Sequence, residues 1–213
     1  MKLYTYFRSS AAYRVRIALN LKGIAYEPAF VHLTRDSGQQ KQAAFRAVNP
    51  QALVPALEHD GHTLTQSLAI IEYLDETFPA VPLLPKTQAA RAEVRAFALA
   101  IACEIHPLNN LRVLGYLKGP LGHDQAAADT WYRHWTEDGL AACEALAANR
   151  NFGMFCFGDT PSLADVCLVP LMFNARRFKC DLDGVPRLVA VDAVCQALPA
   201  FAQAAPGAQP DAE

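Results

Sequence analysis

Apolar and polar positions alternate between strand and helix periods along the first third of this chain. Leu3, Tyr4, Tyr6 and Phe7 make residues 2–7 a β-rich opening. Arg8-Ser9-Ser10 then offers a turn and a helix cap, and Val15, Leu19 and Lys22 follow at i, i+4 and i+7, with Ile17 and Leu21 again at i, i+4, until Gly23 stops the helix. Residues 25–33 read as a second strand and residues 39–48 as a short helix. Residues 54–58, the turn His59-Asp60-Gly61 and residues 62–65 form a hairpin pattern around an Asp-Gly turn. Ser67 is expected to cap a helix through Ile70, Ile71 and Leu74. The order β-α-β-α-β-β-α predicts an α/β layer with a mixed sheet.

The texture changes at Phe78-Pro79. Pro79, Pro82 and Pro85 mark a linker, after which strand signals nearly vanish. The expected organisation is therefore a domain at 1–80, a linker at 81–88 and an all-helical domain at 89–213. Val94, Phe97, Ile101, Ile105 and Leu108 step by three and four along one face, and Trp131, Trp135, Leu140, Cys143 and Leu146 outline a second long helix. Ser162 stands three residues before Asp165, a variant of the capping box. Residues 166–173 are apolar on all sides, which predicts the buried centre of the helical domain. From Ala202 onward the chain is rich in Ala, Pro and Gln and is expected to fray.

Composition narrows the function classes. Of 213 residues 52% are apolar, which supports a sizeable core and excludes disorder. Lys+Arg 19 against Asp+Glu 21 leaves no basic excess, so phosphate neutralisation on a nucleic acid is excluded. Arg8 interrupts any apolar leader, and no uncharged run approaches the roughly 20 residues of a spanning helix. No membrane partner is expected. Cysteines occur at 103, 143, 156, 167, 180 and 195, without a C-x-x-C pair or zinc spacing. They read as small buried hydrophobes of a reducing, cytoplasmic protein. His59 and His62 flank a turn and are expected to be solvated; no metal site is read.

Two places in the first domain suit chemistry. Ser9-Ser10 open a helix, where backbone N–H groups and the dipole favour an anion; they serve equally as ordinary caps. Val54-Pro55 precedes a strand and Gln66-Ser67 a helix. A cis Val-Pro bond there turns the Val54 backbone outward to pair with an extended peptide ligand, whereas a plain strand-start proline does not.

Residues 6–19, Tyr-Phe-Arg-Ser-Ser-Ala-Ala-Tyr-Arg-Val-Arg-Ile-Ala-Leu, together with Gly38-Gln39-Gln40, Asn49-Pro50-Gln51-Ala52-Leu53-Val54-Pro55 and residues 66–74, resemble the zeta class of the cytosolic glutathione transferases. Residues 107–114 and 174–179 continue the likeness into the helical half. The resemblance implies a thioredoxin-like α/β domain followed by an all-α domain, a homodimer, and glutathione as cofactor. It departs in one respect, since the family's cysteine is Ala11 here and no cysteine precedes Cys103. A thioredoxin-type redox role is thereby excluded, and any sulfur chemistry needs a borrowed thiol.

The activity implied is cis–trans isomerisation of a maleyl diketo acid to its fumaryl isomer. By resemblance, Ser9 donates to the glutathione sulfur beside Ser10 and Ala11. Gln40, Val54, Pro55, Gln66 and Ser67 hold glutathione, with Gln66-Ser67 at the γ-glutamyl end. The dicarboxylate substrate calls for cations and donors. His106, Asn109 and Asn110 fall at i, i+3 and i+4, which predicts one helix face, with Arg112 a turn beyond Asn109 and with His106 and residues 110–112 lining the site by resemblance. Arg176 and Arg177 close the buried helix, either as substrate guanidiniums or as dipole compensation, with Arg176 slightly favoured for substrate; Arg8 completes the set. The adjacent arginines plus Arg112 lean the expected substrate towards maleylpyruvate over maleylacetoacetate. Conjugation of glutathione to other electrophiles is the competing activity.

Overall fold

A computed structural model describes residues 1–148 and 152–213. Strand β1 (Lys2–Thr5) pairs in parallel with β2 (Glu27–Phe30) and antiparallel with β3 (Ala56–His59), and β4 (His62–Thr65) completes the order β2-β1-β3-β4. A parallel β1–β2 pair requires a crossover, and α1 (Ser10–Leu21) supplies it. Gly23 at φ 65 closes α1, and its N–H reaches Asn20 O while Ile24 N reaches Leu19 O. The hairpin turns at Asp60 and Gly61, with φ of 50° and 76°. Residues 39–48 divide, because Gln42 is extended: one 3-10 turn at Gln39–Lys41, then α2 (Ala43–Val48). Helix α3 (Ser67–Thr77) follows β4, and its cap position is Gln66, with Ser67 as the first helical residue.

Contacts divide the chain into two units, Met1–Leu83 with Ala197–Glu213, and Leu84–Gln196. The C-terminal residues thus group with the α/β unit, and the expected frayed end is corrected. Helix α9 is Pro199–Ala204. Phe201 is fully buried, Arg16 donates to Ala204 O at 3.0 Å, and Asn20 donates to Ala200 O at 3.0 Å. One large apolar side chain and two side-chain-to-carbonyl bonds are enough to dock a segment whose composition reads as loose. At the far end of α1, the Lys22 ammonium is bound by Asp75 at 2.8 Å and by the carbonyls of Phe78 and Val81.

In the second unit α4 (Gln88–Leu99) widens into a π-helical turn, Ala100–Ile105, then tightens into a 3-10 turn, His106–Asn109. Pro107 has no N–H to continue an α-helical ladder, which explains the change of winding. Helices α5 (Leu111–Lys118), α6 (Gln125–Ala148), α7 (Leu163–Arg177) and α8 (Pro186–Gln196) complete the unit. The buried stripe of α6 is Tyr132, Thr136, Leu140, Cys143 and Ala147, one position over from the expected Trp131 and Trp135. Gly139 explains the offset: a Cβ there would meet Ile105 at 2.4 Å, so α6 turns its glycine to the π-turn. Helix α7 is buried on nearly every side, and its capping box is present, with Asp165 accepting from Ser162 N and Oγ and from Cys156 N. Five cysteines are buried, and burial pushes the Cys143 thiol up to about 12; Cys103, expected inside, is exposed. No helix among the described residues is long and apolar enough to cross a membrane.

Candidate active site

The sheet register sets the site of the first unit. Thr5, the last residue of β1, stands opposite Phe30, the last of β2; Tyr4 pairs with Ala56 and Ala56 with Thr65. The start of α1, the loop after β2, the Val54–Pro55 bond and the start of α3 therefore all issue from one end of the sheet. That is where ligands meet such α/β layers, since two helix N-termini present unbonded N–H groups there.

Ser9 is the cap of α1. Its Oγ accepts from Ala12 N at 3.2 Å, which leaves its hydroxyl proton free to be donated. Ser10 is buried in the first turn. The Val54–Pro55 bond is cis and both residues are buried. Gln66 has φ 68° and ψ 119°, a left-handed backbone that a side chain rarely adopts, and its amide donates to Gln51 at 2.9 Å. Such a backbone persists only where its surroundings fix it, and sites of recognition are where it clusters. Gln40 is buried: its Nε2 donates to Leu33 O at 3.3 Å, and its Oε1 has no hydrogen-bond partner.

Two residues without an assigned role in the sequence reading are prominent. Arg16 is fully buried and donates to Thr5 Oγ1, Tyr6 O and Phe7 O as well as to Ala204 O. Burial lowers its guanidinium to about 10. It clamps the loop that delivers Ser9, while Asp211 accepts from Phe7 N at 3.0 Å on the same loop. Arg14 donates to Ser67 Oγ at 3.1 Å. The sequence carries a signal: two arginines at alternate positions beside Val15, Ile17, Ala18 and Leu19. Arg8 is exposed, lies over the Phe7 ring and pairs with Glu213, which also holds His32 and Arg35.

The helical unit sorts the remaining candidates. His106, Asn109 and Asn110 do not share a helix face. Asn109 turns inward, donating to Thr136 Oγ1 at 3.0 Å and Tyr132 O at 3.4 Å, and Asn110 caps α5 through Arg112 N and Val113 N. The 3-10 winding of His106–Asn109 and the restart at Asn110 break the i, i+4 relation. Arg112 is exposed and His106 half-buried. Arg176 donates to Asp192 on α8 at 2.5 Å, so the slight preference for it as the substrate guanidinium falls. Arg177 instead lies 4.8 Å over the Phe178 ring and donates to Asn174 Oδ1 at 3.2 Å. Phe178 in turn stacks on Tyr132 at 3.6 Å and 10°.

An α/β unit with two helix N-termini at one sheet end, in a chain that continues into an all-helical unit, has the fold of the glutathione transferases. Residues 3–82 match the family described as glutathione S-transferase, N-terminal domain. A probable maleylacetoacetate isomerase of Vibrio cholerae serotype O1 is 52% identical over 99% of this chain and 97% of its own. A solved maleylpyruvate isomerase, described as a bacterial glutathione S-transferase in the zeta class, superposes with a TM-score of 0.97 at 49% identity over all of both chains. A maleylacetoacetate isomerase of Methylobacterium extorquens AM1, solved with bound malonate and GSH, gives 0.95 at 44% identity, again over both chains in full. The chain belongs to the glutathione S-transferase family, within its zeta class.

Proposed function

We propose that the protein catalyses the glutathione-dependent cis–trans isomerisation of a maleyl diketo acid to its fumaryl isomer. The observation that carries this is the convergence of the Ser9 and Ser67 helix starts at one end of a sheet whose unit contains no cysteine. An anion-favouring site without a thiol of its own is suited to a thiol brought in from outside. The residues fit glutathione: Gln40 keeps a buried acceptor without a protein partner, and Gln66 holds a backbone that only its surroundings can fix. Gln40, Val54, Pro55, Gln66 and Ser67 would hold it.

Bound there, glutathione would supply the thiolate nucleophile that a reversible addition to the activated cis double bond requires. A free thiol has a pKa of about 8.5, so the site must favour the thiolate. The Ser9 hydroxyl donates to the sulfur, while Ser10, the Ala11 amide and the α1 dipole add positive potential. Arg177, held on its aromatic pile, grips a substrate carboxylate, and Arg112, Asn110, His106 and Arg8 supply the other donors. Asn109 and Arg176 belong to the scaffold.

The relatives carry two substrate names, maleylacetoacetate and maleylpyruvate. The charge argument for maleylpyruvate loses one of its three cations to Asp192. Ultraviolet assay of both substrates with glutathione tests the proposal: isomerisation without glutathione consumption is expected, and the kcat/KM ratio assigns the substrate. Consumption of glutathione would make the protein a conjugating transferase instead. A cytoplasmic homodimer is part of the proposal, consistent with six free cysteines; sedimentation at micromolar concentration showing monomer alone would overturn it.

A further inference from the structure

Arg14 on α1 and Ser67 on α3 meet in the interior of the α/β unit. The guanidinium Nη1 donates to Ser67 Oγ at 3.1 Å, and the two residues are 2% and 6% exposed. A serine hydroxyl has one proton and two lone pairs. With Arg14 donating into the oxygen, the Ser67 proton has to be given to a third group. A cationic donor behind the oxygen also polarises the O–H bond and strengthens what it donates. Ser67 is the first residue of α3, so its hydroxyl and its unbonded amide lie together at the positive end of the helix dipole. A group that accepts two hydrogen bonds and carries negative charge satisfies all three features, and a carboxylate does so.

The geometry points to Arg14 as the positioning residue of a carboxylate subsite, acting through Ser67 on the α-carboxylate of the γ-glutamyl group without touching it. The inference rests on the glutathione-dependent reading above and deepens it. Burying a guanidinium is costly, and a lysine, with one compact ammonium, cannot reproduce the planar fork.

Calorimetric titration tests this with two probes: glutathione, and γ-aminobutyryl-cysteinylglycine, which keeps the amine and lacks the α-carboxylate. Arg14→Gln and Ser67→Ala should each weaken glutathione binding by about 10- to 100-fold, the range for a charge-assisted hydrogen bond. The double variant should bind no more than about threefold worse than the weaker single one, because both changes cut one route. For Arg14→Gln at saturating glutathione kcat should stay within about threefold, the loss appearing in KM. Towards the analogue, Arg14→Gln should bind like the wild type. Losses that multiply in the double variant, or an equal loss on both probes, overturn the inference. If Arg14→Gln does not fold, Arg14→Lys is measured instead; a loss confined to glutathione supports the inference and an equal loss on both probes overturns it. Wild-type protein binding neither probe overturns the glutathione reading as well, whereas wild-type binding with multiplying losses overturns this inference alone.

Discussion

The guanidinium of Arg176 donates to Asp192 at 2.5 Å, and Gln196 donates to the same carboxylate oxygen at 2.7 Å, with Asp192 itself fully buried. The adjacent Arg177 has no part in this arrangement; it lies on Phe178. Two neighbouring arginines at the end of α7 therefore have different partners, Arg176 binding α7 to Asp192 of α8 and Arg177 lying over Phe178 and donating to Asn174.

Opposite outcomes follow for the two positions. Arg176→Met should lower stability in urea by about 1–3 kcal/mol, a buried-pair loss discounted for the partly exposed guanidinium. Its kcat/KM should change by no more than about twofold, since it touches no reacting group. Arg177→Lys should keep its melting temperature and lose about 10- to 100-fold in kcat/KM through the lost two-pronged geometry. The reverse pattern would return the substrate role to Arg176.

Ser9→Ala removes both a cap and a donor. The cap, Ser9 Oγ to Ala12 N, accounts for about 1 kcal/mol of stability. The lost donor should lower kcat by about 10- to 1000-fold and move the acid limb of the pH–rate profile upwards, as the thiol becomes harder to ionise. Unchanged kcat at every pH would assign the donor to Ser10 or the Ala11 amide.

Phe201→Ala tests the docking of α9. A fully buried phenylalanine replaced by alanine should cost about 3–5 kcal/mol in urea unfolding. A change below about 0.5 kcal/mol, the scale of surface substitutions, would mean that α9 adds nothing to the core.

Asp192 predicts a pH dependence of definite sign. Burial raises its carboxyl above the ordinary 3.8, against the attraction of Arg176 and the hydrogen bonds from Arg176 and Gln196. The folded chain then holds this proton more tightly than the unfolded chain does. The penalty for ionising it is absent below the unfolded value, grows as pH rises towards the folded value, and is constant above. The stability advantage of the wild type over Asp192→Asn should therefore shrink as pH rises from below the ordinary 3.8 through the raised folded-state value. An advantage that grows with pH would mean that Arg176 outweighs burial.

The alternation of strands and helices, the Asp60-Gly61 turn, the Gly23 stop and the Ser162 box were legible because each is local, set by a few neighbouring residues. The same holds for the helix starts at Ser9 and Gln66-Ser67. What escaped depends on partners distant in sequence. The face of α6 is chosen by Gly139 meeting Ile105, and Asn109 is taken inward by Thr136. Arg176 is taken by Asp192, and the Ala-rich end is docked by Phe201 and Arg16. Arg14 and Arg16 stand inside the very motif that carries the family likeness, and their apolar neighbours point to burial, yet nothing local names the distant partners Ser67 and Ala204.

The assignment of Ala197–Glu213 to the first unit has a consequence for the order in which the protein can be completed during synthesis. Chains generally fold domain by domain from the end made first. Here the helical unit, Leu84–Gln196, is whole before the unit that begins the chain. The loop delivering Ser9 lacks the Asp211 acceptor for Phe7, and Arg16 lacks the Ala204 carbonyl, until residues 204–211 leave the ribosome. Maturation of the anion site thereby waits on Ala204 and Asp211, and a nascent chain stalled anywhere before α9 carries its sheet without its final clamp.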